Sequence, residues 1–302
     1  MTETLLEKLN RLKSARNAVI LAHNYQRAEV QDAADYVGDS LGLSRQAAKT
    51  TADVILFCGV DFMAETAAIL CPEKRVLVPD LHAGCPMANM VTARELRQLK
   101  AQHPQALVVC YVNSSAEVKA ESDVCCTSAN AVQVLERLPA DKDILFVPDS
   151  SLGQYAAEKS GRKVILWPGY CPTHHRIMAD DIRKARAAHP GAEVVVHPEC
   201  TSDVVALADS VASTTGILRV CRESAKEEFI IGTEVGLLHR LRQENPAKRF
   251  HPASPQADCP NMKINTLEKM VWALEEMIYP ITVPQPIAVK ARLAIQRMLE
   301  VA

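Results

Sequence analysis

The chain has 302 residues, 48% hydrophobic and 23% charged, with a formal net charge of −2. That length exceeds one average domain and allows two or three units sharing a surface. Near-neutral charge gives no general pull toward nucleic acid or anionic membrane, and aromatics at 4% are too scarce for base-stacking platforms.

In chain order, the N-terminal segment MTETLLEKLNRLK reads as an amphipathic helix carrying Leu5, Leu6, Leu9 and Leu12. It has no apolar signal core, and the longest apolar run, Val54 to Val60, is far too short to span a bilayer. The expectation is a cytoplasmic protein with no membrane segment. Ten cysteines in a reducing compartment are not expected to form disulfides. Cys58, Cys71, Cys110, Cys125, Cys126, Cys200 and Cys221 read as small buried hydrophobes.

Short apolar runs alternate with helical stretches: 18–22, 53–57, 75–79, 106–112, 143–147, 163–168, 193–197 and 228–232. Runs buried on both faces and separated by amphipathic helices predict parallel sheets with helices outside, an α/β class.

A repeat organises these runs. Strands end at HNY (23–25), YVN (111–113) and HPE (197–199), with Tyr25, Tyr111 and His197 spaced 86 and 86 apart. A small hydroxyl residue then heads a helical stretch: Ser40, Ser128 or Thr214. Next comes a strand ending in an acid, Asp61, Asp149 or Glu234, and finally a Cys-Pro: Cys85-Pro86, Cys171-Pro172 and Cys259-Pro260, spaced 86 and 88 apart. The reading is three similar β/α units, 1–88, 89–174 and 175–262, followed by a helical tail over 263–302 that packs back on the first unit. Ligands of parallel α/β sheets bind beyond the carboxyl ends of the strands. Three such units around a pseudo-threefold axis would aim the tripeptides and the Cys-Pro loops at one central cavity.

A metal or cluster needs thiolates fixed toward one point. Cys85, Cys171 and Cys259, one per unit, meet that need through symmetry, since no CxxC occurs in the chain. Three thiolates leave one position open, which in a catalytic cluster serves as a Lewis acid. A catalytic zinc, or a Cys-Pro that only closes a turn, remains the alternative on spacing alone.

In each tripeptide the first and third side chains share a face. His23, Tyr25, Tyr111, Asn113 and His197 offer donors for carboxylates and a carbonyl. Glu199 is the one carboxylate among the six, hence the candidate general base. Tyr25 and His197 are candidate proton donors or orienters. Ser40, Ser128 and Thr214 fall at expected helix N-termini, where a hydroxyl with backbone N–H groups holds carboxylate or phosphate, or simply caps the helix. The three acids read as caps. No GxxxxGK or complete GxGxxG supports nucleotide binding.

The segments AHNYQ (22–26), GDSLGLS (38–44), HAGCPMAN (82–89), YVNSSAEVKAESDVCCTSAN (111–130), PGYCPTHH (168–175), HPEC (197–200), ASTTG (212–216) and GTEVGLLHRL (232–241), with the Cys259 segment, resemble quinolinate synthase in order from about residue 15 to 270. The resemblance implies three pseudo-symmetric three-layer αβα domains around a central cavity. It also implies one oxygen-sensitive [4Fe–4S] cluster on Cys85, Cys171 and Cys259. The implied reaction condenses iminoaspartate with dihydroxyacetone phosphate to quinolinate, phosphate and two waters, in de novo NAD biosynthesis. Carried over, His23, Ser40, Tyr111, Asn113, Ser128, His197, Glu199 and Thr214 resemble the substrate contacts. Tyr25 resembles a catalytic acid/base assisted by Glu199, and His174 a histidine near the cavity. A monomer or homodimer is implied, and a functional link to L-aspartate oxidase is allowed. Pro260, Asn261 and Met262 follow Cys259, so the CxxC redox switch of some members is not expected. Cys125 and Cys126 read as packing.

Overall fold

The computed structural model describes residues 3–301. Helix α1 (Leu5–Ala15) opens the chain, started by Thr4, whose hydroxyl accepts the Glu7 N–H while the Glu7 carboxylate accepts the Thr4 N–H. The first unit continues β1 (Ala18–His23), α2 (Ala28–Ala33), β2 (Tyr36–Gly38), α3 (Ser40–Lys49), β3 (Val54–Cys58), α4 (Asp61–Leu70) and β4 (Arg75–Leu77). The second runs α5 (Ala93–Gln102), β5 (Leu107–Tyr111), α6 (Ala116–Ala120), β6 (Val124–Cys126), α7 (Ala131–Arg137), β7 (Ile144–Val147), α8 (Ser150–Ser160) and β8 (Val164–Leu166). The third repeats the plan with α9 (Ala179–Ala188), β9 (Glu193–Val196), α10 (Ser202–Val205), β10 (Ser210–Val211), α11 (Thr214–Glu223), β11 (Glu228–Gly232), α12 (Leu237–Glu244) and β12 (Arg249–Pro252). Helices α13 (Leu267–Glu276) and α14 (Gln285–Glu300) close the chain.

Each unit holds one four-stranded parallel sheet, with strand orders β2-β1-β3-β4, β6-β5-β7-β8 and β10-β9-β11-β12. Helices on both faces bury the central strands completely, as along Val54–Cys58 and Ile144–Val147, which is why those strands read as unbroken apolar runs. The order matters for chemistry. After β1, β5 and β9 the chain first steps to one side and then crosses to the other, so a crevice opens at the carboxyl end of each of these strands. HNY, YVN and HPE stand at those three ends.

The tail departs from expectation. Helix α13 packs on α1, α2 and β3 of the first unit, but α14 lies chiefly against α6 and β6 of the second, with a lesser contact to α4. Helix α14 thereby covers the short helix α6, which has five residues. Ala291, Ala294, Ile295 and Met298 form the fully buried face of α14. The two alanines permit close approach, and burying a side chain the size of Ile295 is worth about 1.5–3 kcal/mol. Among the described residues no helix is long and apolar enough to cross a membrane.

The segment before Cys171 is locked to the end of β7. Asp149 and Gly169 form a parallel bridge, and the Ser150 N–H donates to the Gly169 carbonyl at 2.8 Å. A Cβ on Gly169 would lie 2.4 Å from the Pro148 carbonyl oxygen, a backbone atom that cannot rotate away. Gly169→Ala should therefore lower stability by about 1–3 kcal/mol. Urea denaturation reads this as an earlier midpoint; an unchanged midpoint would show slack in the loop.

Candidate active site and metal centre

One cavity joins the three units. It has an empty volume of about 940 Å³, and Cys85, Cys171 and Cys259, His23, Tyr25, Ser40, Tyr111, Asn113, Ser128, His174, His197, Glu199 and Thr214 all line it. Every site residue expected from the sequence is thus brought together.

The cysteines divide cleanly. Cys58, Cys71, Cys110, Cys125, Cys126, Cys200 and Cys221 are buried, whereas Cys85, Cys171 and Cys259 are only partly so. Each of these three is followed by proline and a short 3-10 turn: Ala88–Met90, His174–Arg176 and Met262–Ile264. The turns present the backbone N–H of Ala88, His174 and Met262, three residues on in each case, toward the preceding sulfur, which favours the thiolate. Burial dominates all the same. It pushes the Cys85 thiol up to about 12, the Cys171 thiol well above its ordinary value and the Cys259 thiol upward, and the paired sulfurs oppose each other's ionisation. A bound cation reverses that balance by deprotonating its thiol ligands. These cysteines, and the group Cys171, His174 and Glu199, can bind a metal.

Glu199 sits at the centre of the polar side. Tyr111 donates its phenol to Oε1, and His174 Nδ1 lies 2.7 Å from Oε2. Burial pushes the Glu199 carboxyl up, but His174, then His197 and the Tyr111 phenol, outweigh it and hold the group below the usual carboxylate range. Glu199 is therefore an ionised carboxylate in a dry site. Tyr25 is its counterpart: burial first and the Glu199 charge second push its phenol well above the ordinary value. It stays protonated, with its hydroxyl 2.6 Å from Thr233 Oγ1 and 3.3 Å from His174 Nε2.

The same local device fixes two histidines. His23 Nδ1 accepts the Tyr25 N–H at 3.2 Å, and His197 Nδ1 accepts the Glu199 N–H at 3.3 Å. Each ring then carries its proton on Nε2 as a neutral donor, and that of His197 meets Ser128 Oγ at 3.1 Å. Burial lowers both rings to about 3. Asn113 presents a buried Oδ1 with no hydrogen-bond partner, a vacancy suited to a donor on a ligand.

Ser40 and Thr214 are the first residues of α3 and α11, but neither caps its helix: Asp39 and Ser213 do so, accepting the Gly42 and Gly216 N–H groups. The Ser40 hydroxyl is left to the cavity, whereas Thr214 Oγ1 accepts the Asn24 Nδ2–H at 2.8 Å, leaving only its own O–H to donate into the cavity. Ser128 lies in the turn before α7.

The acids depart from the capping expectation in part. Asp149 caps α8 through the Leu152 N–H at 2.8 Å, and Asp61 opens α4, taking the Phe62 N–H at 2.7 Å. Glu234 caps nothing. It accepts the Gly236 and Cys259 N–H groups and pairs with Lys263. Sequence reasoning missed Thr233, which bridges Tyr25 and His174 Nε2 (2.9 Å), and Arg176, the one Lys or Arg on the cavity wall among the described residues. Thr233 was findable, since it precedes Glu234 in a strand-end position of the repeat. A second group, His189, Glu228 and His251, lies at the strand-start edge of the third sheet, away from the cavity. Both rings and Arg249 satisfy Glu228 there by hydrogen bonds.

Fold and site define an α/β protein of three repeated units around a metal-competent, cysteine-bearing cavity with a base, a phenol and neutral imidazoles. The chain belongs to the quinolinate synthetase A protein family, whose model matches residues 7–300. It is 56% identical to a quinolinate synthase of Dehalococcoides mccartyi over 99% of both chains. It is 58% identical to that of Methanoregula boonei over 99% of this chain and 98% of the relative, and 54% identical to that of Geobacter metallireducens over the same shares.

An unfolded histidine titrates near about 6.5. With His23 held to about 3 in the fold, the unfolded chain binds more protons throughout that window. The stabilisation is full above the higher value and is lost as pH falls toward the lower. Thermal midpoints should fall from neutral to acid pH, and His23→Gln, which takes no proton, should flatten that fall. An identical slope in the variant would show a solvated ring.

Proposed function

We propose that the chain is a quinolinate synthase that condenses iminoaspartate (iminosuccinate) with dihydroxyacetone phosphate, releasing quinolinate, phosphate and two waters. The observation that carries this reading is the family match over nearly the whole chain, joined to the convergence of the motif residues on one cavity. We also propose that the units divide near residues 88, 174 and 262, and that the protein works in the cytoplasm.

The cofactor of this reading is one [4Fe–4S] cluster on Cys85, Cys171 and Cys259. The thiols fit it by number, partial exposure and the amides aimed at them. Spacing supports it too. Tetrahedral zinc with bonds of about 2.3 Å would hold three sulfurs within about 4 Å of one another. Among the described residues the three cysteines are not a group whose ligand atoms close to within 4.8 Å, which suits a larger inorganic body. When bound, the cluster supplies a Lewis-acidic iron with one position free of protein ligands.

The chain's own residues do the rest. Glu199, ionised between Tyr111 and His174, takes a proton from the condensing partners. Tyr25, kept protonated and aligned by Thr233, returns one to a departing hydroxyl. His23 and His197 donate Nε2–H to substrate oxygens, and Asn113 Oδ1 accepts from a substrate N–H or O–H. The Ser40 and Thr214 hydroxyls, at the positive ends of α3 and α11, hold carboxylate or phosphate together with Ser128 and Arg176. The enclosing units exclude water from hydrolysable imine species.

Glu199→Gln should abolish quinolinate formation while the iron–sulfur absorbance of anaerobically purified protein persists. Full activity in that variant would remove Glu199 from the reaction. Thr233→Val should lower kcat by about 10–100-fold with little change in KM, as measured by quinolinate release. An unchanged kcat would show that Tyr25 needs no such alignment.

A further inference from the structure

The acids Asp61, Asp149 and Glu234 take no part in the reaction above, yet they share one placement. They follow β3, β7 and β11, each the neighbour of the strand that carries a cavity tripeptide. In every unit the chain just before the cysteine pairs back on the acid's segment. The Asp61 N–H donates to Ala83 O at 2.8 Å, the Ser150 N–H to Gly169 O at 2.8 Å, and the Val235 N–H to Ala257 O at 3.0 Å. Ala83, Gly169 and Ala257 each stand two positions before their cysteine, so each carboxylate lies beneath its own cysteine's amide. In the third unit the contact is closed, the Cys259 N–H donating to Glu234 Oε1 at 3.0 Å. In the other two no such contact closes: Asp61 accepts the Phe62 N–H and Asp149 the Leu152 N–H, burial pushes both carboxyls up, and Asp149 Oδ2 is left buried with no partner.

Glu234 makes a further link. Lys263 Nζ lies 2.8 Å from its Oε1, and the same ammonium donates to the carbonyl of Tyr25 in the first unit. The Gly236 N–H donates to Oε2 at 2.7 Å. No room is left at this junction: a Cβ on Gly236 would stand 2.7 Å from Lys263 Nζ, 2.8 Å from Glu234 Oε2 and 2.8 Å from the Tyr25 carbonyl oxygen. One buried ion pair thus spans a cysteine loop of the third unit and the backbone of the proposed proton donor.

We propose that Glu234 is a positioning residue that seats the cysteine loop of the third unit, and that with Lys263 it also fixes Tyr25 relative to Cys259. The inference rests on the iron–sulfur reading above. Partners one step behind a metal ligand are worth about 10–100-fold in metal affinity or activity, which sets the scale of the test.

Anaerobic holoenzyme and the variants Glu234→Ala, Glu234→Gln, Lys263→Met and Gly236→Ala are compared by iron release to a chelator, circular dichroism, kcat and KM. Glu234→Ala should release iron about tenfold faster than wild type. Glu234→Gln, whose amide oxygen still accepts the Cys259 N–H, should restore the slow rate. Lys263→Met should keep slow iron release but lose about tenfold in kcat at unchanged KM, because Tyr25 shifts while the cysteine loop does not. Gly236→Ala, which removes no charge, should show both effects. Wild-type iron release in both Glu234→Ala and Gly236→Ala overturns the seating role, and unchanged kcat in Lys263→Met overturns the link to Tyr25. Should Glu234→Ala fail to fold, Gly236→Ala decides. A wild-type protein free of iron overturns the cofactor reading and this inference with it, whereas iron-bearing wild type with indifferent variants overturns this inference alone.

Discussion

A parallel sheet delivers its connecting loops to one edge, and a strand whose successors lie on opposite sides opens a crevice there. This protein repeats that arrangement three times with strand orders that match position for position. Everything in the cavity depends on the repetition. Cysteines far apart in the chain meet because each closes the same βα unit, and the tripeptides meet because each ends the same strand. No local motif is needed when the fold supplies the convergence.

Convergence of polar groups in a dry place carries an electrostatic cost, and the site meets it by mixing protonation states. Glu199 keeps its charge because His174 and the Tyr111 phenol outweigh burial. Tyr25 keeps its proton because burial and that same charge act together. His23 and His197 avoid a charge altogether, each turned by a backbone N–H into an Nε2 donor. An ionised carboxylate and a protonated phenol therefore coexist within one hydrogen-bonded group through His174 and Thr233, their opposite pKa displacements set by environment. Removing one partner of such a buried charge would typically cost about 3–5 kcal/mol, which makes the network as much a part of the fold as of the chemistry.

The main strands were legible because burial on both faces writes them as continuous apolar runs, and the site was legible because the repeat aligns its members. Strands β2, β6 and β10 were not. They are two or three residues long, sit at sheet edges, and are held by pairing to β1, β5 and β9 rather than by a pattern of their own. Strand β12, Arg249–Pro252, was hidden by its mixed composition at the opposite edge. The placement of α14 was equally invisible: its apolar face states that something is covered, not which unit is. Glu234 was misread as a cap for a physical reason. A carboxylate at a strand end can cap the next helix or hold a distant loop, and only tertiary contact separates the two. Asp149 does the first, Glu234 the second.

The repeats have diverged where chemistry demands difference. A site with exact threefold symmetry would offer three equal groups at each position, which suits a symmetric inorganic body but not two unlike substrates. The cysteines and the turns after them kept the symmetry. The tripeptides did not: the first unit gives an imidazole and a phenol, the second a phenol and an amide, the third an imidazole and the carboxylate. Glu234 differs from the two aspartates by one methylene, and that added reach accompanies a closed hydrogen bond to Cys259 and an ion pair with Lys263. Symmetry thus places the thiols alike, and its breaking at the strand ends gives the cavity wall a different pair of polar groups from each unit.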